Sequence, residues 1–232
     1  MDIANRTALV TGAAIGTGRA IAVALAAAGA QVVVTDIDEV GGRETVRRDP
    51  TGRCRFRRLD MTDPGDIAAV IGSERPQILV NNAGGGGHIP PHFPAAAPHR
   101  WRTLIELNLI GPMHAAQEAL APMRESGGGA IVNIASTAGL GREHYQSPEY
   151  GAAKAGLIRF TTALAEVADV RVNCVVPDWV ATERVTPDER ATRPPPIPLE
   201  AVAAATLRLI CDSALAGRVL VLDRGRPARL LD

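Results

Sequence analysis

Short apolar runs alternate, from one end of the chain to the other, with stretches in which apolar residues recur every three or four positions. The runs Thr7 to Val10, Gln31 to Thr35, Arg53 to Leu59, Gln77 to Val80, Ala130 to Ile134, Val170 to Val176 and Arg218 to Leu222 are short and rich in β-branched residues, which predicts seven strands. Between them, Arg19 to Ala28, Arg100 to Arg124, Glu149 to Val167 and Leu199 to Cys211 carry the helical period. Repeated strand, helix, strand is the signature of right-handed βαβ units. The predicted class is therefore α/β, a doubly wound seven-stranded parallel sheet with helices on both faces. No internal repeat is visible. Two segments break the rhythm: Gly84 to Pro98, rich in Gly, His and Pro, and Thr182 to Pro198, which contains Pro194-Pro195-Pro196. Both follow predicted strands, and loops at the carboxyl ends of parallel strands build the ligand crevice of an open α/β sheet.

Composition narrows the partners. A chain of 232 residues is read as one domain, 1–232, with a short substrate loop at about 182–198. Lysine plus arginine number 25 against 25 acidic residues, so no net field favours nucleic acid or an anionic membrane. Arg53, Arg55, Arg57 and Arg58 read as the solvated face of a short strand. Three scattered cysteines, Cys54, Cys174 and Cys211, suggest neither a disulfide framework nor a zinc site. His88, His92, His99, His114 and His144 lack metal-ligand spacing, so no metal is expected. With no basic leader into an apolar segment and no run of about 18 apolar residues, a cytoplasmic protein is expected. The basic residues are all arginine except Lys154.

Candidate chemistry begins directly after the first strand. Thr-Gly-Ala-Ala-Ile-Gly-Thr-Gly, Thr11 to Gly18, runs into the helix starting at Arg19. In that context Gly12 permits a tight turn, Gly16 the approach of a pyrophosphate and Gly18 close helix packing, while the helix N-terminus offers free N–H groups. The spacing differs from the standard Gly-x-Gly-x-x-Gly. Asp36 ends the second strand, where a carboxylate accepts hydrogen bonds from a ribose diol and repels a 2′-phosphate, so NAD is favoured over NADP.

The glycine loop, Asn-Asn-Ala-Gly at Asn81 to Gly84 and Tyr-x-x-x-Lys at Tyr150 to Lys154 together resemble the short-chain dehydrogenase/reductase family, from about Arg6 to Gly225. The resemblance implies a Rossmann-like fold, a small-molecule substrate and a homo-oligomer, a tetramer before a dimer, built on the helices 100–124 and 149–167. It also implies cofactor contacts from Gly12, Ala14, Ile15, Gly16, Gly18, Asp36, Asp60, Asn82, Ala83, Gly84, Tyr150, Lys154, Pro177, Val180 and Thr182. Asp60 would lie by the adenine, Asn81 would brace the central strand, and Thr182 would fix the carboxamide. Asn108, Ser136, Tyr150 and Lys154 would be catalytic, Asn108 interrupting the long helix to hold a water.

On a helix, residues four apart share a face, so Lys154 is placed to act on the Tyr150 phenol. Lowering a phenol from its usual pKa to neutrality takes roughly 4 kcal/mol, which Lys154 and a nicotinamide charge are expected to supply. Ser136 would hold the substrate oxygen beside Tyr150, with Thr137 as the alternative. Tyr145 is set aside because Glu149, not lysine, stands four residues on. The chain departs from the family pattern where Pro177-Asp178 replaces Pro-Gly and where Asp223-Arg224-Gly225 replaces Asp-Gly-Gly. The substrate loop is also short. If the family's glycine at position 178 has φ > 0, aspartate tolerates that position better than most residues but adds a charge near the nicotinamide. The expected reaction is hydride exchange between NAD(H) and a secondary alcohol or ketone. The alternative is an NAD-binding regulatory or scaffold protein, and a lyase or epimerase holding NAD transiently has no distinguishing motif.

Overall fold

The structure, a computed structural model, describes residues 1–141, 145–183, 185–191 and 194–231; His144 and part of the loop 182–198 lie outside them. The strands are β1 (Thr7–Thr11), β2 (Gln31–Asp36), β3 (Cys54–Arg58), β4 (Ile78–Asn81), β5 (Gly129–Ile134), β6 (Val170–Pro177), β7 (Val219–Leu222) and β8 (Arg229–Leu230). They form one sheet in the order β3-β2-β1-β4-β5-β6-β7-β8. β1 to β7 are parallel, and the chain reverses direction at β1, so that β4 lies against β1 in register Leu9↔Leu79. The expected seven strands are present, but the sheet has eight: β8 adds an antiparallel edge through Leu220↔Leu230. Two residues are too few for a period to show.

The strand period builds the two core layers. Leu9, Val33, Leu79 and Ile131 face one side. Their neighbours Val10, Val34, Val80 and Val132 face the other. On that second side, Ile21 and Leu25 of α1 (Gly16–Ala27) meet Leu209 and Ile210 of α8 (Leu199–Cys211). The first side is closed by Ile67 and Ile71 of α3 (Pro64–Glu74) and by Ala115, Ala119 and Met123 of α5 (Gly111–Glu125). Beside it, Leu157 of α6 (Pro148–Ala163) packs on Cys174 and Val176 of β6. Each fully buried Leu or Ile contributes about 2 kcal/mol, so the sheet is held from both faces.

Two further helices follow β2 and β6: α2 (Glu39–Arg47) and α7 (Pro187–Arg190). α2 is weakly marked in sequence because Gly41 and Gly42 interrupt it, but Asp38 caps it by accepting from the Gly41 N–H at 3.0 Å. Asp63 caps α3 in the same way, with Pro64 at the first helical position. The predicted helix 100–124 is two helices, α4 (Pro98–Ile105) and α5, joined by a π turn over Glu106–Ile110. Pro112 has no N–H to give, which removes one bond from the helical ladder and favours the wider turn. Among the described residues no helix is long and apolar enough to cross a membrane.

Candidate active site

The carboxyl ends of β1, β4, β5 and β6 open on one crevice. At β1 the loop after Thr11 is tied down from below. The Thr11 hydroxyl accepts from the N–H groups of Asn82 and Ala83, both at 3.0 Å, and the Asn82 amide donates to the Thr11 and Gly12 carbonyls at 2.9 Å. Gly12 sits at φ 63°, and a Cβ there would lie 2.6 Å from the Ala83 Cα, so no other residue fits. Asp36 accepts from the Ala14 N–H at 3.0 Å, which sets the strand-end carboxylate against the loop. Asp60 accepts from the N–H and hydroxyl of Thr62, and those bonds hold its carboxyl below the usual range. Asn81 donates to Asn133 at 2.9 Å and to the Pro112 carbonyl at 3.2 Å, joining β4 to β5 and to the start of α5.

The π turn carries Asn108, which is fully buried. Its side chain pairs with both backbone groups of Gly85, accepting at 2.9 Å and donating at 3.0 Å. Gly84 lies between this amide and the lysine: a Cβ on Gly84 would come 2.5 Å from Asn108 Oδ1 and 3.2 Å from Lys154 Nζ. The structure thus brings Gly84, Asn108 and Lys154 to one point.

Ser136 stands beside Tyr150, close enough for its hydroxyl to favour the phenolate, and its oxygen accepts from the Ala138 N–H at 3.2 Å. Thr137, the alternative to Ser136, instead begins the 3₁₀ turn Thr137–Gly139. Lys154, one turn along α6, is buried and donates to the Ile134 carbonyl at 3.0 Å, with its ammonium 5.7 Å from the Tyr150 ring centroid. Burial pulls Lys154 down to about 8. Burial likewise pushes Tyr150 up to about 12; Tyr145, its ring centroid 6.1 Å away, adds to the rise, and the Ser136 hydroxyl works against it. Lys154 by itself does not bring the phenol down. The ammonium lies over the ring on a backbone carbonyl, and desolvation dominates. Both tyrosines of the chain meet here, although Tyr145 carried no sequence signal beyond its type.

The wall beyond β6 differs from expectation. Asp178 is not in the left-handed region, where the described non-glycine residues are Asn5, Arg75 and Asp169, and its N–H continues the sheet to Leu222 at 2.9 Å. No glycine conformation is needed at this position. Its carboxylate accepts from Arg224 at 2.8 Å, and the same guanidinium lies 5.4 Å from the Trp179 ring centroid. The two departures from the family pattern are thus partners. Val180 bridges to Ile197, closing the base of the substrate loop, and Arg190 donates to the Thr182 carbonyl at 2.7 Å. Pro177 ends β6 and Thr182 leans on Gly16, to within 3.3 Å of where a Cβ would stand. Glu183, Gly85, Gly87 and the Ile134 carbonyl are site groups that the motifs did not mark. Gly87 covers Tyr150, its missing Cβ 2.8 Å from the ring.

The residues at hand suit a dinucleotide. Gly16 lies at φ 57° with its N–H facing outward, and that N–H already holds a carboxylate, from Glu183. Among the described residues no cluster of three or more His, Cys, Asp or Glu is arranged for a metal.

Comparison with known proteins agrees with this geometry. A family model described as short chain dehydrogenase matches residues 6–193. The cis-4-hydroxycyclohexanecarboxylate dehydrogenase of Sinomonas cyclohexanicum is 36% identical, over 97% of this chain and 98% of its own. The D-beta-hydroxybutyrate dehydrogenase of Rhizobium meliloti is 35% identical, over 82% of this chain and 78% of its own. A variant of the actinorhodin polyketide ketoreductase, solved with NADPH, superposes with a TM-score of 0.86 at 29% identity, covering 95% of this chain and 97% of that one.

Proposed function

The chain belongs to the short-chain dehydrogenase/reductase family, as an oxidoreductase of CH–OH groups that uses a nicotinamide cofactor, and we propose that it moves a hydride between NAD(H) and a secondary alcohol or ketone. The observation that carries the proposal is the Tyr150 phenol, with Ser136 beside it and a buried Lys154 one turn along the same helix, meeting Asn108 at Gly84. The two dehydrogenases above are named for hydroxylated carboxylates. That supports an alcohol carbon as the reacting centre and leaves the rest of the substrate open.

On this reading Gly12, Ala14, Ile15, Gly16 and Gly18 hold the pyrophosphate, Asp36 the ribose diol and Asp60 the adenine edge. Asn82, Ala83, Gly84, Pro177, Val180 and Thr182 enclose the nicotinamide half. The bound cofactor supplies the hydride donor or acceptor. Tyr150 Oη gives its proton to the substrate oxygen in reduction and takes it in oxidation, and a phenol held at about 12 is a proton donor at neutral pH. Ser136 donates to the same substrate oxygen as charge builds on it. Lys154 offsets charge on the phenolate, and its low pKa lets it pass a proton toward the Asn108 turn. NAD is favoured because Asp36 presents a negative charge where a 2′-phosphate would stand.

We also place the enzyme in the cytoplasm as a homotetramer; α3, α5 and α6 frame an apolar groove lined by Met61, Ile110, Met113, Leu120 and Phe160 that suits a second copy. Light scattering that finds only a monomer overturns that assembly.

The test of function is reduced-nicotinamide absorbance across secondary alcohols and ketones, with NAD(H) and NADP(H) in parallel. Turnover that Tyr150→Phe lowers at least about a hundredfold is expected. A variant that keeps its activity refutes the role of Tyr150. NADH binding without turnover on any substrate class turns the reading toward the regulatory or scaffold alternative.

A further inference from the structure

α1 begins differently from α2 and α3. Its N-cap is Ile15, which offers no side-chain cap, and its first turn holds no acidic residue. The missing acceptor comes from 167 positions away: Glu183 Oε1 accepts from the Gly16 N–H at 3.2 Å and from Arg19 at 3.3 Å. Its other oxygen lies 3.4 Å from where a Gly16 Cβ would stand. Arg19 is held in place independently, donating to the Thr45 hydroxyl at 2.9 Å and to the Ala14 carbonyl. An anionic oxygen on a helix-start N–H, next to a guanidinium, is the chemistry by which a protein holds a phosphate.

We infer that Glu183 is an internal stand-in for the cofactor's pyrophosphate, and that cofactor binding must displace its carboxylate from Gly16 and Arg19. The inference rests on the dinucleotide reading of the glycine loop. Two negative groups cannot share one N–H and one guanidinium without repulsion, so the carboxylate competes with the ligand directly. Glu183 follows Thr182 in a loop whose base is pinned by the Ala181 N–H to the Ile197 carbonyl at 2.8 Å. Displacement therefore moves the Glu183 side chain away from Gly16 and Arg19 while the loop base stays pinned. Glu183 thus sets cofactor affinity.

The experiment compares wild type with Glu183→Gln, which keeps size and removes charge, by titrating NADH, ADP and adenosine with calorimetric or fluorescence readout. Glu183 is half exposed, so the variant is expected to fold. A charged cap contributes about 1 kcal/mol, so its removal is expected to tighten NADH and ADP binding roughly fivefold and to leave adenosine unchanged. The melting temperature without ligand should fall slightly while the ligand-induced rise grows. A residue with only a structural role would move the first and not tighten binding. NADH affinity that is unchanged or weaker in Glu183→Gln overturns the inference and leaves the dinucleotide reading standing. Failure of both folded proteins to bind NADH or NADPH overturns the reading, and the inference with it.

Discussion

Replacing Lys154 by methionine, which keeps most of the side-chain length and drops the ammonium, is expected to stabilise the fold near neutral pH while removing activity. Lys154 is buried, and its pKa falls from 10.5 to about 8 on folding. In the unfolded chain the lysine keeps its proton up to about 10.5, whereas the folded protein gives it up near 8, so between these values the unfolded state binds more protons and stability rises with pH. Below the folded value the full penalty applies, about 3 kcal/mol for a drop of that size. Methionine escapes it but leaves the Ile134 carbonyl without its donor, a loss of about 1–2 kcal/mol. The net gain is about 1–2 kcal/mol near pH 7, and it reverses sign at about pH 9–10, where the folded lysine is already neutral and the remaining penalty falls below the value of the lost hydrogen bond. Urea unfolding of both proteins at pH values across this window, followed by tryptophan fluorescence, measures the difference directly. A methionine variant that is less stable at pH 7, or a difference that does not change with pH, would refute the account of Lys154 as a strained, desolvated cation.

Asp36→Ser removes the charge at the end of β2 and is expected to move the preference from NAD toward NADP by about tenfold or more in kcat/KM ratio, as a like-charge contact worth at least about 1.4 kcal/mol is relieved; an unchanged ratio would show that Asp36 serves only to brace Ala14. For Asp178 and Arg224 a double-mutant cycle to glycine is expected to return a coupling of about 0.5–1 kcal/mol in unfolding free energy, because the pair is only partly shielded from solvent. The single Arg224→Gly change should also alter Trp179 emission, since the guanidinium lies on that ring. Additive single changes would mean that the two residues meet without depending on each other.

The sheet was legible because its central strands are buried on both faces and so consist of uninterrupted apolar runs, and the end of α1 or β5 can be read to within a residue or two. α2 and β8 were not, since two glycines blur one and the other is only two residues long. The break at Asn108 falls inside a periodic stretch, where Pro112 is the single local hint. Within the site, Gly12, Asp36, Tyr150 and Lys154 stand at fixed distances along the chain from the elements that carry them. Local spacing alone therefore placed them on a loop, a strand end and one helical face. Protonation is different. Tyr150 is raised and Lys154 lowered because the surrounding chain takes both out of water, and no pattern of neighbours in sequence records how deep a side chain will lie. The same holds for contacts between distant segments. Glu183 reaches Gly16 and Arg224 reaches Asp178 only because β6 and β7 end beside each other and beside α1. The sequence by itself determined the class of fold and the residues proposed to do the chemistry. The tertiary structure decided their charge states and the partner of each residue that departs from the family pattern, because burial and long-range contact exist only once the sheet is assembled.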